Sequence, residues 1–111
     1  MNVFDHADIY GDYTTEADFG NALKKSSIKA EELELITKCG IQMTTGRNNK
    51  VKHYDYKASY IISSLEQSLK NLEVENIDTF LLHRPSPLMN AEEIAKAIEQ
   101  LKAQGKIKSF G

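Results

Sequence analysis

The sequence predicts an α/β fold in which short parallel strands alternate with helices. Three observations carry that expectation. Val3-Phe4-Asp5, Leu33 through Lys38 and Ile77 through His83 each read as a strand, rich in apolar and β-branched residues. Between them lie stretches with apolar residues at three- and four-residue spacing, the period of a helix packed on one side. Turn and cap residues (Thr14-Thr15, Asp55, Pro85, Pro87, Asn90 and Gly105) punctuate the boundaries. Strands joined by helices run parallel, so their carboxyl ends share one edge of a sheet. An open parallel sheet and a stretch of a (β/α)8 barrel both satisfy this order. An open sheet usually has a Gly-rich phosphate turn after its first strand, and His6-Ala7-Asp8-Ile9-Tyr10-Gly11 is not one. The barrel is the better fit.

After the strand ending at Asp5, a polar loop leads to a helix with Thr15 as its cap and Asp18 as the answering capping-box residue. Ala17, Phe19 and Leu23 give that helix an apolar side, and it ends near Lys25-Ser26. Gly20 inside it costs ~1 kcal/mol relative to alanine, a cost that points to close packing against a strand. In the strand over 33–38, alternation sets Leu35 and Thr37 on one face, Ile36 and Lys38 on the other. Gly40 to Tyr56 reads as a long polar loop, in which Arg47, Lys50, Lys52 and His53 form a solvated surface rather than a phosphate site.

Asp55 then caps a helix whose stripe is Ile61, Ile62, Leu65, Leu69 and Leu72. The strand over 77–82 is apolar on both faces, as in a sheet covered by helices on one side and packed on the other, and Pro85 and Pro87 stop it. Asn90 and Glu93 form a second capping-box pattern. Ile94, Ala97, Ile98 and Leu101 supply the stripe of the next helix, Gly105 closes it, and Lys106 to Phe110 begins a further strand.

Composition excludes several classes of function. The 111 residues are expected to form a single domain, with 14 basic against 16 acidic residues and a formal net charge of -2. Nucleic-acid binding needs a basic stripe, which the sequence lacks, and no apolar run reaches the roughly 18 residues of a membrane span. Met1-Asn2-Val3-Phe4-Asp5 has no secretory signal pattern, and Cys39 is the one cysteine, with no internal partner. A cytoplasmic, reducing setting is expected, with no membrane and no nucleic-acid partner. No ligand set for a metal stands out.

Asp5, Lys38 and His83 each fall at a strand end, and Tyr10 follows the first of them closely. Each has an ordinary explanation: Asp5 as a loop cap, Tyr10 as a rim aromatic, Lys38 as a snorkelling lysine, His83 as a turn histidine. Brought to one sheet edge, they suggest proton transfer instead. A phenol is a weak acid in water, and an ammonium such as Lys38 stabilises its anion and makes it a stronger one. Asp5 can orient the lysine, and His83 can hold a substrate oxygen near the phenol. That set suits protonation of a carbonyl oxygen while hydride arrives from elsewhere. No side chain donates hydride, so a nicotinamide cofactor is implied.

Four segments resemble the aldo-keto reductases. Phe4-Asp5-His6-Ala7-Asp8-Ile9-Tyr10-Gly11 is similar to their F-D-T-A-x-x-Y-G segment, and Ile36-Thr37-Lys38 to their lysine strand. Leu81-Leu82-His83-Arg84-Pro85 resembles L-x-H-x-P, with Ser64-Leu65-Glu66-Gln67-Ser68-Leu69 resembling the helix before it. Gly105-Lys106-Ile107-Lys108-Ser109-Phe110-Gly111 resembles G-K-I-R-x-I-G. The resemblance implies a (β/α)8 TIM barrel that reduces aldehydes or ketones with NADPH. It implies Tyr10 as proton donor, Lys38 as the residue that acidifies it and Asp5 as the lysine's partner, near the nicotinamide ribose. It also implies His83 as the substrate-orienting group. The Gly40 loop and the segment from His83 to Met89 would line the substrate mouth, and Cys39 would be a packed small residue rather than a nucleophile.

A whole barrel needs roughly 200 residues or more. The resemblance places these 111 residues from the second strand to the start of the fifth, a partial barrel that leaves most of the NADPH site outside the chain. Two open sheet edges, near Val3 and Ile107, lead to an expectation of self-association or of pairing with the missing barrel half. Beside a carbonyl reductase acting on a small-molecule carbonyl substrate stands a second reading, a non-catalytic binding or regulatory module of the same fold. Some relatives of this fold are channel-associated subunits. Retention of Asp5, Tyr10, Lys38 and His83 favours enzyme descent. A phosphate-binding barrel isomerase has no positive feature here.

Overall fold

The computed structural model describes residues 2–44 and 49–111; Arg47 of the basic segment lies outside the described residues. Strands β1 (Val3–Asp5), β2 (Glu34–Cys39), β5 (Ile77–Leu82) and β6 (Ile107–Phe110) form one parallel sheet in the order β1-β2-β5-β6. Between them run helices α1 (Thr15–Lys25), α2 (Ala58–Leu72) and α3 (Ala91–Ala103). The helices lie in a row along one face, α1 against α2 and α2 against α3, as successive right-handed crossovers require. Among the described residues neither β1 nor β6 has a second strand neighbour.

The two faces of the sheet differ as the alternation of β2 predicts. Leu35, Thr37, Cys39 and Phe80 are sealed beneath the helices, with Ile61, Leu65, Leu72, Ile77 and Leu101 completing the core. Ile36, Lys38, Thr79 and Leu81 share the other face and stay half-buried, because among the described residues no further layer stands opposite them. Register aligns the strand ends: Asp5 stands level with Ile36, and Lys38 with Leu81.

The Gly40–Tyr56 segment is not simply a loop. Strands β3 (Ile41–Gln42) and β4 (His53–Tyr54) pair antiparallel within it, Gln42 opposite His53. Its polarity hid the pairing, since a two-residue strand carries no readable alternation.

Three caps differ from expectation. Thr14, not Thr15, occupies the N-cap of α1, and its hydroxyl donates back to Gly11 O at 2.7 Å instead of serving the helix amides. Lys57 occupies the N-cap of α2, while Asp55 accepts from Lys57 N at 3.2 Å. Asn90 does cap α3, accepting from the amides of Glu92 and Glu93. The Glu93 carboxylate, however, reaches across to accept from Ala58 N at 2.9 Å and so caps α2 in place of its own helix. Gly105, at φ +69°, ends α3 as expected: Lys106 N bonds Leu101 O and Gly105 N bonds Lys102 O, the Schellman arrangement.

Gly20 does mark close packing, but against a helix rather than a strand. A Cβ there would collide with the carbonyl of Asn71 and the backbone of Leu72 at the end of α2. On this side of α1 the buried residues are Glu16 and Gly20, with Ala17, Phe19 and Leu23 only half-buried. Gly20→Ala is therefore expected to destabilise by roughly 1–3 kcal/mol through overpacking, set against the ~1 kcal/mol of helix propensity that alanine gains. Denaturant unfolding measures it; a variant more stable than the native chain would contradict this α1–α2 contact.

Candidate active site at the strand ends

Asp5 ends β1, but the ladder continues beyond it: His6 N donates to Ile36 O at 2.7 Å and Asp8 N to Lys38 O at 3.0 Å. This holds the chain against β2 until Tyr10, whose amide turns back to Ala7 O. Gly11, Asp12 and Tyr13 follow at φ 60°, 53° and 70°. Left-handed backbone costs a non-glycine residue roughly 1–2 kcal/mol, and such strain concentrates at functional sites. The coil lets Tyr10 O accept from both Thr14 N and Thr15 N at the mouth of α1. The Tyr13 hydroxyl accepts from Met43 N at 2.8 Å, tying this loop to the β3–β4 hairpin.

The four residues expected to act together do meet. Lys38 Nζ donates to Asp5 Oδ1 at 2.5 Å and to His6 O at 3.0 Å, and lies 5.4 Å from the centre of the Tyr10 ring. The lysine side chain is only 12% exposed against 59% for Asp5. The ammonium is thus enclosed while one flank of the carboxylate faces solvent. His83 begins just past β5, its amide bonded to Cys39 O at 2.8 Å. Its ring stands edge-on to Tyr10, 6.1 Å between centres.

Burial holds the His83 imidazole below its ordinary pKa of 6.5, and the positive charges of Lys38 and Arg84 push the same way. Its Nδ1 is buried without a hydrogen-bond partner among the described residues. An unpaired acceptor is less costly than an orphaned N–H. The neutral tautomer with the proton on Nε2 is therefore favoured, which makes Nε2 a donor.

Several residues at the site were not legible as such. His6 packs its ring 4.5 Å from Phe19, and burial lowers its pKa; its carbonyl is one of the two acceptors that fix Lys38. Asp8 accepts from the Ser64 hydroxyl at 2.9 Å, anchoring the Tyr10 loop to α2. Buried Glu16 accepts from Thr37 Oγ1 at 2.5 Å, and burial raises its carboxyl pKa despite the hydrogen bonds from Thr37, Ser68 and Asn71. The spacing of Ser64 and Ser68 on the stripe of Ile61, Leu65 and Leu72 was a usable signal: serines on a buried face call for buried polar partners. Cys39 is fully buried and its thiol pKa is pushed up by burial, so it is packing rather than a nucleophile.

Among the described residues no group of three His, Cys, Asp or Glu could hold a metal ion, and no helix is long and apolar enough to cross a membrane. Asp5 could accept from a ligand hydroxyl: Lys38 occupies Oδ1, and the carboxylate remains largely exposed.

The sequence profile described as the aldo/keto reductase family matches residues 1–111. An uncharacterized oxidoreductase of Bacillus subtilis, YcsN, is 48% identical over 113 residues, which cover 100% of this chain and 38% of that protein. A 6-dehydroglucose reductase of Agrobacterium fabrum is 44% identical over 113 residues, covering 100% of this chain and 38% of its own length. Among solved structures, the aldo-keto reductase AKR11C1 of Bacillus halodurans in its holo form superposes with a TM-score of 0.86 at 30% identity. The superposition covers 100% of this chain and 36% of that one. The chain thus spans under two fifths of these relatives and has the fold of the matching part of their barrels. With the profile matched from end to end, this chain belongs to the aldo/keto reductase family.

Proposed function

We propose that the chain supplies the proton-delivering side of an NADPH-dependent reductase that converts an aldehyde or ketone to an alcohol. The observation that carries this reading is the placement of Lys38: bonded to Asp5 and the His6 carbonyl on one side, beside the Tyr10 ring on the other, with His83 edge-on to that ring. Bound reduced nicotinamide would supply hydride to the carbonyl carbon. His83 Nε2–H donates to the carbonyl oxygen and sets the substrate beside Tyr10. As the C=O π pair moves onto oxygen, the Tyr10 hydroxyl gives up its proton to it. The Lys38 ammonium stabilises the phenolate left behind until solvent returns a proton. Asp5 holds Lys38 in place through its bond to Nζ, and its carboxylate, still largely exposed, would accept from a hydroxyl of the nicotinamide ribose.

The setting we propose is cytoplasmic, consistent with a buried, unpaired Cys39. The open edges of β1 and β6 support pairing with the remainder of a barrel or with a second copy. The test is carbonyl-dependent oxidation of NADPH in a barrel made from this chain and the remaining strand–helix units of the YcsN relative. Oxidation that requires both an aldehyde and this chain is the expected result. A chimera that binds NADPH yet reduces no aldehyde or ketone would refute the assignment.

A further inference from the structure

We infer that Tyr56 is a positioning residue for His83, acting through the main chain of Arg84. The inference rests on the proposed role of His83, but its geometric basis is independent of any turnover. His83 N makes the last ladder bond on this side of β5, to Cys39 O. The chain then reaches Pro85, which has no N–H to extend the pairing, and Pro85 also restricts Arg84 to an extended conformation. At that point a phenol takes the place of a neighbouring strand. Tyr56 Oη donates to Arg84 O and accepts from Arg84 N at 3.2 Å. A hydroxyl is both donor and acceptor, so one side chain holds both polar groups of the same residue.

The phenol is itself fixed. Tyr56 is buried between β4 and α2, and its ring lies against Gly40 so closely that a Cβ there would run into Cε1, Cζ and Oη. Gly40 sits at φ +121°, a conformation that L side chains rarely adopt. Asp55 N donates to Gly40 O at 2.8 Å, and the Tyr54 ring stacks nearly parallel at 6.3 Å. Gly40 follows β2 directly, and β2 carries Lys38. The glycine, the phenol and the Arg84 main chain therefore link the lysine strand to the histidine turn. Through that link the imidazole is kept 6.1 Å from the Tyr10 ring with Nδ1 shut away from solvent.

Tyr56→Phe keeps the ring over Gly40 and removes both bonds to Arg84. Nitrogen-15 spectra of the imidazoles read the consequence in the chain itself. The His83 signals are expected to shift, and its titration midpoint to rise toward the ordinary histidine value as the turn opens to water. The signals of His6 and His53 should stay in place. Unchanged His83 signals in a folded variant would overturn the inference. The native chain gives a second measurement should the variant not fold: the Arg84 amide is expected to exchange slowly with solvent, and exchange at the rate of an unprotected amide would also overturn it. In a barrel that turns over, kcat/KM for the carbonyl should fall by up to about 100-fold, since a displacement of about 1 Å can cost that much, with NADPH affinity unchanged. If His83 moves in the spectra but no form of the protein reduces carbonyls, the positioning stands and the proposed reaction falls.

Discussion

Tyr10→Phe is expected to lower carbonyl reduction by roughly 10²- to 10⁴-fold, the usual contribution of a positioned general acid, while NADPH binds as before. The substitution removes one hydroxyl from a residue that is 38% exposed. The loop around it is held by main-chain bonds of Ala7, Tyr10, Thr14 and Thr15, all of which the variant keeps. A fall in rate therefore cannot be assigned to unfolding. Native-like turnover in the phenylalanine variant would remove Tyr10 from the chemistry. The assay is NADPH oxidation in the completed barrel, paired with a fluorescence titration of the bound nucleotide.

Lys38→Met is expected to cost about 10²- to 10³-fold in turnover, the scale for losing one preorganised group that stabilises developing charge. Methionine retains most of the apolar stem of a side chain that is 12% exposed, but none of the charge beside the Tyr10 ring. The stability change should stay within about 1 kcal/mol, because Asp5 is 59% exposed and its unpaired carboxylate can be hydrated. Turnover and the unfolding midpoint, measured together, separate the two effects. A variant that unfolds but retains its rate when folded would show that Lys38 is structural.

The strand–helix order was legible because its signals are local. The stripes of α2 and α3 repeat at helical spacing, and Ile94, Ala97, Ile98 and Leu101 are all buried as read. The convergence of Asp5, Tyr10, Lys38 and His83 followed from parallel strands sharing an edge, and the structure brings these four side chains together. Distant pairings were not legible. Glu93 fits a capping box by sequence but caps another helix, because α3 lies alongside α2 and Ala58 N is within reach. Gly20 announced a close approach without saying that its partner was Asn71. Tyr56 and Gly40 look like an aromatic and a glycine at the ends of a polar stretch; their bearing on His83 exists only once β2 and β5 lie side by side.

The central claim is that these strand-end residues deliver a proton to a carbonyl oxygen while hydride reaches its carbon. The most direct measurement is a single turnover of the completed barrel with NADPH carrying deuterium at the transferring position and a simple aldehyde. The expected product is an alcohol bearing one deuterium on the former carbonyl carbon, formed much more slowly in the Tyr10→Phe variant. Nucleotide that binds saturably while the aldehyde is recovered unchanged, or alcohol formed equally fast without the Tyr10 hydroxyl, would contradict the claim.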